Sequence, residues 1–237
     1  MAEALIKLQN VWKVYQLGKI ELPVLRNIDL EIKPGSFVTI MGPSGSGKST
    51  LMYLLGLLDV PTKGKIYLEG KDVSSFSDNL LAGLRGKKIG FVFQQFNLFQ
   101  NLSAIENVML PMIFQGVEEK ERQDRAKKLL TLFDMAKRIN HKPTELSGGE
   151  QQRVAIARSL ANDPEIIIAD EPTGNLDSGT GKIIMGALKK LHKEQKKTII
   201  VVTHDPNIAN YSEEIVNIKD GQIIKNHSHI AEVLWQK

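Results

Sequence analysis

Glycine, serine and a single lysine follow one another in the segment Gly42–Thr50 in an order that suits phosphate chemistry. The segment fits the pattern G-x-x-x-x-G-K-S/T in full. Its glycines permit positive φ angles, which allow successive backbone N–H groups to point inward at one anion. The apolar run Phe37–Met41 precedes it and a helical pattern follows, so the helix N-terminus adds N–H groups and a positive dipole end. This context predicts a phosphate-binding loop, whereas the alternative is a flexible glycine-rich turn.

Two side chains of this loop are expected to do most of its chemistry. Lys48 would reach the β- and γ-phosphates of a nucleotide, and the Ser49 hydroxyl would hold Mg²⁺. The other loop residues that we expect to contact the nucleotide are Gly42, Ser44, Gly45, Ser46, Gly47 and Thr50. The loop therefore predicts a nucleoside triphosphate and Mg²⁺ as ligands.

Two carboxylates, Asp170 and Glu171, end a second apolar run, Ile166–Ala169. A carboxylate at the end of a buried strand is costly unless a cation meets it. The Mg²⁺ held by Ser49 would meet Asp170, and Glu171 would orient and activate the water that attacks the phosphate. The alternative is that one of these carboxylates only caps the next element.

The pattern around these residues alternates strand-like and helical segments. Ile6, Leu8 and, after a shift of register, Val11 alternate with polar residues. The dipeptide Asp220-Gly221 between two apolar runs predicts a hairpin. Further strands are expected over 65–68, 89–93, 166–169 and 198–203, and helices over 48–58, 118–135 and 178–195. This order predicts an α/β core with a largely parallel sheet, ligands at the carboxyl ends of its strands, and a helical insertion.

The segment Leu146–Arg153, which reads Leu-Ser-Gly-Gly-Glu-Gln-Gln-Arg, resembles the signature motif of ABC ATPases. The resemblance implies that Ser147 and the N–H of Gly149 bind the γ-phosphate held by an opposite subunit. Two adjacent glycines at a helix N-terminus open the backbone to an anion, which fits that role. Since the motif of one chain is not expected to reach its own phosphate loop, a second copy of the chain is implied, facing the first head to tail.

Further motifs of the same family occur in the expected order, and the resemblance covers nearly the whole chain. It assigns adenine stacking to Tyr15, the sensing of Mg²⁺ and water to Gln94, a link between the two sites to the loop that ends at Asp177, and a γ-phosphate contact to His204. The implied catalytic residues are Glu171, His204 and Gln94, and the implied Mg²⁺ ligands are Ser49, Gln94 and Asp170. The implied cofactors are ATP and Mg²⁺.

The fold that this resemblance implies is α/β: a P-loop NTPase (RecA-like) core with an N-terminal antiparallel β-subdomain and an inserted α-helical subdomain. Residues 1–94 and 161–226 would form the nucleotide-binding core with the antiparallel β-subdomain. Residues 95–160 would form the helical subdomain that carries the signature motif. Residues 227–237 would form a C-terminal tail. In that tail, His227-x-His229 offers only two metal ligands, and Ile230, Val233, Leu234 and Trp235 favour an amphipathic packing segment instead.

The last position of the signature motif is Glu150, where the family usually has glutamine. A carboxylate cannot donate a hydrogen bond as an amide can, and it adds negative charge near a nucleotide. The same charge is favourable at a helix N-terminus. We therefore expect Glu150 to serve the start of the helix, while the contacts of Ser147 and Gly149 are kept.

Composition narrows the possible partners. The 237 residues include no cysteine, which excludes disulfides and thiolate metal sites, and the net charge of +4 is too small to indicate nucleic acid. No apolar stretch reaches the roughly 18 residues of a spanning helix. A transporter would therefore need a separate integral-membrane permease subunit, with this chain peripheral on the cytoplasmic side. In the family that subunit docks near Gln95–Pro111, where Phe96, Leu98 and Phe99 form either an apolar patch or part of the core.

The segments Phe93–Leu98 and Ala169–Asp177 resemble the subfamily that serves macrolide export, lipoprotein release and the cell-division ABC complex. Three function classes follow. The first is the ATPase subunit that drives export or extraction by a permease, and the second is a regulatory ABC ATPase that transmits force to a membrane partner without transport. The third, a soluble ABC ATPase acting on nucleic acid, is disfavoured because such proteins carry two such domains or long coiled-coil insertions. The lysine-rich stretch Lys182–Lys197 is predicted to be a solvated helix face.

Overall fold

The computed structural model describes residues 3–228. In this range the strands are β1 (Ile6–Leu17), β2 (Ile20–Ile32), β3 (Phe37–Met41), β4 (Lys63–Leu68), β5 (Lys71–Asp72), β6 (Ile89–Val92), β7 (Ile166–Asp170), β8 (Thr198–Thr203), β9 (Glu214–Lys219) and β10 (Gln222–Ser228). The helices are α1 (Lys48–Leu55), α2 (Asp78–Lys88), α3 (Ala104–Phe114), α4 (Glu119–Leu132), α5 (Gly148–Ser159), α6 (Ser178–Gln195) and α7 (Pro206–Ala209). The suggestions for the tail, a metal at His227-x-His229 and amphipathic packing of 230–235, concern side chains outside the described part of the chain.

The chain divides into two compact units. The first comprises the chain up to Ala82 and again from Lys189, and the second comprises Gly83–Leu188. Two helices belong to both units: α2 begins in the first unit and ends in the second, and α6 begins in the second and ends in the first. The subdomain bounds that the motifs predict, at 94/95 and 160/161, are different from these and stay a prediction.

An antiparallel sheet with the strand order β2-β1-β4-β5 forms one layer of the first unit. The shift of register expected in β1 is present, because the pairing with β2 slips between Leu8 and Val11. Asn10, between them, has a φ of 50°, a left-handed conformation that asparagine tolerates better than most residues. The slip keeps both Leu8 and Val11 buried on the core face.

The parallel strands of the first unit explain the continuous apolar runs of the sequence. Strand β3 lies between β8 and β9 and is parallel to both, and β8 is buried along its whole length. Parallel strands covered on both faces favour β-branched residues without alternation. Met41 pairs with Thr203, so the loops that follow β3 and β8 leave the sheet at the same edge. The predicted hairpin is confirmed: β9 and β10 are antiparallel, with positive φ at Asp220 and Gly221.

The second unit combines the parallel pair β6 and β7 with helices α3 to α5 and the later part of α2. Helix α3 begins with a capping box, in which Ser103 accepts a hydrogen bond from the N–H of Glu106 and the Glu106 carboxylate accepts one from the N–H of Ser103. The α/β class with an antiparallel β-subdomain and added helices is thus confirmed. No helix among residues 3–228 has the length and apolar composition needed to cross a membrane.

Candidate functional site

The phosphate loop joins β3 to α1 in the first unit, and its glycines are required by its shape. Gly45 and Gly47 have φ angles of 76° and 100°, which residues with a Cβ rarely adopt. A Cβ on Gly42 would collide with the carbonyl oxygen of Ile218 and would lie 2.7 Å from the Ser46 hydroxyl. The backbone of the loop can therefore adopt this conformation only with glycine at these positions.

The hairpin of β9 and β10 braces this loop, which the sequence did not indicate. The N–H of Gly221 donates to the carbonyl oxygen of Ser46 at 3.0 Å, and the N–H of Arg26 donates to the carbonyl oxygen of Gly221 at 2.8 Å. A Cβ at Gly221 would collide with the carbonyl oxygen of Val24. The turn residue thus has two tasks, since it closes the hairpin and holds the phosphate loop against β2.

The polar groups of the loop fit a phosphate chain. The Ser46 hydroxyl is buried and has no hydrogen-bond partner among residues 3–228. Helix α1 starts at Gly47 without a side-chain cap, which leaves its first N–H groups open to an anion. The Lys48 ammonium donates to the carbonyl oxygens of Gly42 and Pro43, each at 2.8 Å, which places it over the loop. The exposed hydroxyl of Ser49 is suited to a hard cation such as Mg²⁺.

Two other predicted residues lie in the same unit. Tyr15 is half-buried on β1, and its hydroxyl donates to Asp59 at 2.9 Å. Its pKa is raised, first by burial and then by that hydrogen bond to a carboxylate. His204 is exposed immediately after β8, at the sheet edge from which the phosphate loop also departs. Ser44, Gly45 and Thr50 lie within the loop and the first turn of α1.

The second unit brings Gln94, Asp170 and Glu171 to one sheet edge, because Val92 of β6 pairs with Ala169 of β7. Glu171 has a φ of 42°, and its carbonyl oxygen accepts a hydrogen bond from the N–H of Gly174 at 3.0 Å. The Gln94 amide nitrogen lies 3.0 Å from the position of a Cβ on Gly174. The glutamine and the carboxylate therefore flank the same tight turn.

Ser147 is the N-cap of α5 and is exposed. Its Oγ accepts a hydrogen bond from the N–H of Glu150 at 3.3 Å, while its own N–H donates to a Glu150 carboxylate oxygen at 2.8 Å. A serine hydroxyl that accepts one hydrogen bond can also donate one to an anion. Gly149 packs against Thr180, whose Cγ2 would lie 2.6 Å from an added Cβ.

Glu150 serves the helix start, as its chemistry led us to expect. Its second carboxylate oxygen pairs with Arg138 at 3.3 Å. Hydrogen bonding from the backbone of Ser147 holds the pKa of Glu150 below its usual value, against a smaller effect of burial and aided by the Ser147 side chain and by Arg138. The carboxylate that replaces the family's glutamine is therefore ionised and already bound within the helix N-terminus.

Two residues of α5 that sequence reasoning missed tie this helix to the rest of the site. Gln152 is fully buried, and its amide donates to the carbonyl oxygen of Pro172, next to Glu171, at 2.7 Å. Arg158 donates to the carbonyl oxygens of Asn97 and Phe96 at 2.6 and 2.8 Å. Burial lowers the pKa of Arg158. The sequence does not distinguish Gln152 and Arg158 from the other polar residues of this helix, such as Gln151 and Arg153.

The Arg158 guanidinium binds two backbone carbonyl oxygens in the way that an arginine often binds the two oxygens of a carboxylate. The two residues that supply these carbonyls, Phe96 and Asn97, have left-handed φ angles of 57° and 49°. The segment after Gln94 therefore takes its shape from α5. Leu98, for which the sequence left two interpretations open, is buried in the core, whereas Phe99 is 56% exposed.

Asp177 caps helix α6. Its carboxylate accepts hydrogen bonds from the N–H groups of Gly179 and Thr180, each at 3.0 Å, and from the Thr180 hydroxyl at 2.6 Å. These hydrogen bonds, that of the hydroxyl first, hold the pKa of Asp177 below its usual value. The predicted role of Asp177 in linking two nucleotide sites stays a prediction.

Known proteins resemble this chain over nearly its whole length. The family described as ABC transporter matches residues 25–174. An uncharacterised ABC transporter ATP-binding protein of Thermotoga maritima is 54% identical over 218 residues, or 92% of this chain and 93% of that protein. The macrolide export ATP-binding/permease protein MacB of Syntrophobacter fumaroxidans is 50% identical over 92% of this chain, which spans 31% of that protein. A solved structure shows the ATP-binding cassette MJ0796 of Methanocaldococcus jannaschii as a dimer in a post-hydrolysis state, bound to ADP and Pi. Its sequence is 50% identical to this chain, and the two structures superpose with a TM-score of 0.88 over 94% of this chain and 98% of that one.

Proposed function

Because this chain belongs to the ABC transporter family, as an ATP-binding and ATP-hydrolysing cassette, we propose that two copies close head to tail around two Mg-ATP. This closure drives a separate membrane permease in export or in extraction from the membrane. One observation carries the proposal: α1 begins after Gly47 without a side-chain cap, and the cap of α5 joins only Ser147 and Glu150, so the N–H groups of Gly148 and Gly149 remain outside it and can face an anion. The dimer of the related cassette with ADP and Pi supports the same assembly.

One half of each site consists of the phosphate loop with the catalytic groups. Lys48 and the first N–H groups of α1 bind the phosphates, and His204 contacts the γ-phosphate. Mg²⁺, held by Ser49, Gln94 and Asp170, would supply charge neutralisation at the phosphate oxygens. Glu171 accepts a proton from the attacking water and orients it, and Gln94 positions the same water. Tyr15 supports the adenine.

The other half of the site comes from the second copy, through the Ser147 hydroxyl and the N–H of Gly149. ATP then joins the two copies, since its γ-phosphate is held by Lys48 of one and by Ser147 of the other. Loss of phosphate after hydrolysis removes part of this attraction, and the dimer loosens. The nucleotide thereby biases a two-state assembly, which is how hydrolysis produces motion.

The permease is proposed to dock on the segment from Gln95 to Pro111 and the end of α3, on the cytoplasmic side of the membrane. Phe99 is 56% and Phe114 79% exposed, values unusual for phenylalanine in a packed domain. Asn107 fixes the loop that presents Phe99, because its buried amide bonds both the N–H and the carbonyl oxygen of Phe99. MacB, which is named as an ATP-binding/permease protein, combines both functions in one chain and supports a permease partner here.

The variant Glu171→Gln tests the proposed site. It removes the base and keeps the shape of the side chain, so we expect turnover to fall by about 10²- to 10⁴-fold. An ATP-bound dimer should accumulate, as measured by gel filtration with light scattering in Mg-ATP. The matched control is Glu145→Gln, an exposed carboxylate of the same unit, which should hydrolyse ATP at the parent rate. A Glu171→Gln variant that stays monomeric, or that hydrolyses ATP as fast as the parent, would show that the assignment of Glu171 is wrong.

A further inference from the structure

A largely buried ion pair lies beside Tyr15 in the first unit. The Lys13 ammonium is 2.6 Å from a carboxylate oxygen of Asp59, and the two side chains are only 11% and 25% exposed. Lys13 also donates to the carbonyl oxygen of Val60 at 2.9 Å. Lysine is almost never buried unless it is paired. Lys13 and Tyr15 stand two residues apart on β1, and both side chains reach Asp59.

Asp59 joins the lysine to the tyrosine. One of its carboxylate oxygens accepts from Lys13, and the other accepts from the Tyr15 hydroxyl at 2.9 Å. Burial by itself raises the pKa of Asp59, but hydrogen bonds from Lys13, the N–H of Val60 and Tyr15 outweigh it and hold the pKa below its usual value. The carboxylate is therefore ionised at neutral pH and holds both neighbours in place.

These contacts fix the ring of Tyr15 at its hydroxyl end and on one face. The Lys13 ammonium lies 4.9 Å from the ring centroid, a cation–π distance. The Thr50 side chain lies near the Tyr15 hydroxyl, where it opposes the rise in the pKa of Tyr15. Thr50 belongs to the first turn of α1, two residues after Lys48. The ring therefore lies beside the helix that starts at the phosphate loop, and the face covered by Lys13 is closed to a base.

We propose that Asp59 and Lys13 are positioning residues, which hold the Tyr15 ring so that adenine stacks on the face opposite Lys13. This inference rests on the proposed function, in which Tyr15 supports adenine. The side chains of Lys13 and Asp59 contact Tyr15, Val60 and each other, so we expect the pair to act on the base and not on the phosphates. Because the Tyr15 ring is already immobilised, nucleotide binding does not have to restrict this side chain, and the free-energy cost of ordering it is avoided.

The test compares the binding of Mg-ATP with that of Mg-tripolyphosphate, which has no base. For Asp59→Asn and Lys13→Met we expect the KM for ATP to rise by about 3- to 10-fold with kcat unchanged. The Kd of Mg-tripolyphosphate, measured by calorimetry, should stay at the parent value. Lys13→Arg, which keeps a cation for the ring and for Asp59, should restore most of the ATP affinity.

Two further variants keep this test independent of folding. The double variant Lys13→Met/Asp59→Asn leaves no unpaired buried charge, so it should fold like the parent and still show the raised KM. The control is Glu31→Gln, which breaks the exposed 2.7 Å ion pair of Lys7 and Glu31 on the same sheet and should leave the KM unchanged.

The outcomes separate this inference from the proposed function. If the affinity for tripolyphosphate falls by the same factor as that for ATP, the pair supports the phosphate loop and the inference is wrong. If Tyr15→Ala raises the KM for ATP while the variants of the pair do not, the inference is wrong and the adenine contact stands. If Tyr15→Ala leaves the KM unchanged, the proposed adenine contact itself is wrong.

Discussion

Replacing Glu150 with glutamine changes the charge of the signature helix N-terminus and almost nothing else. Glutamine also forms capping boxes, so the hydrogen bond from the N–H of Ser147 is kept with an amide oxygen as acceptor. The variant loses the ion pair with Arg138 at 3.3 Å and the negative charge in the first turn of α5. We expect two effects of opposite sign: a less stable chain and a tighter ATP-bound dimer.

The loss of stability follows from these two interactions. A partly exposed ion pair contributes about 0.5 kcal/mol, and a charge at a helix N-terminus about 0.5 kcal/mol. Their sum of about 1 kcal/mol corresponds to a Tm lowered by roughly 2–4 °C for a chain of this size. Since the pKa of Glu150 is lowered in the folded chain, its contribution is complete above the unfolded value of about 4.3. The difference in Tm should therefore be constant from pH 6 to pH 8, and should vanish as acidification passes through the folded pKa.

The gain in dimer affinity follows from the loss of repulsion between the Glu150 carboxylate and the phosphate of the nucleotide. A phosphate that accepts a hydrogen bond from Ser147 would lie roughly 6 Å from the Glu150 carboxylate, which corresponds to about 0.7 kcal/mol per pair of unit charges in water. A dimer contains two such sites, so removing both charges should lower the dimer Kd in Mg-ATP by about tenfold. Sedimentation in Mg-ATP, in the Glu171→Gln background that prevents turnover, measures this Kd.

The control is Glu106→Gln, because Glu106 forms the same capping box with Ser103 at the start of α3. This variant should also lower Tm, by less than Glu150→Gln since it has no comparable ion pair to lose, and it should leave the dimer Kd unchanged. If both variants shift the dimer Kd equally, or if Glu150→Gln weakens the dimer, the charge of Glu150 does not face the γ-phosphate and the reasoning fails.

Two further predictions concern Gln152, which the sequence did not single out, and the exposed phenylalanines of the proposed docking surface. Gln152→Leu removes the donor to the carbonyl that follows Glu171, so kcat should fall by about 10- to 100-fold with little change in the KM for ATP; an unchanged kcat in steady-state assays would contradict this. The double variant Phe99→Ser/Phe114→Ser should lose a membrane protein that co-purifies with the parent from detergent-solubilised membranes, while Leu80→Ser, another exposed apolar position, should keep it. Recovery of the same membrane protein by all three variants would show that the permease docks elsewhere.

Elements whose signals are local were predicted well. Helix α6 has the bounds expected from its periodicity, Ser178–Gln195, and β8 has those expected for a buried parallel strand. Helix ends that depend on one residue's φ were missed. Helix α1 ends at Leu55 and not at 58, because Leu57 turns left-handed, and α4 ends at Leu132 before the left-handed Asp134. Nothing in either apolar pattern indicated these turns.

The amino-acid sequence by itself determined the phosphate loop, the carboxylates at the end of β7 and the start of the signature helix. In each of these segments the conformation of the backbone depends on the types of residues only a few positions apart. The positive φ of Gly45, which favours glycine, is an example. Only the tertiary structure decided what holds these parts in place. The contact of Gln152 with Pro172 spans 20 residues and that of Tyr15 with Asp59 spans 44. The hydrogen-bond partner of a polar residue cannot be predicted from the sequence. A buried donor must find an acceptor, and which acceptor lies within reach depends on how distant elements pack against each other.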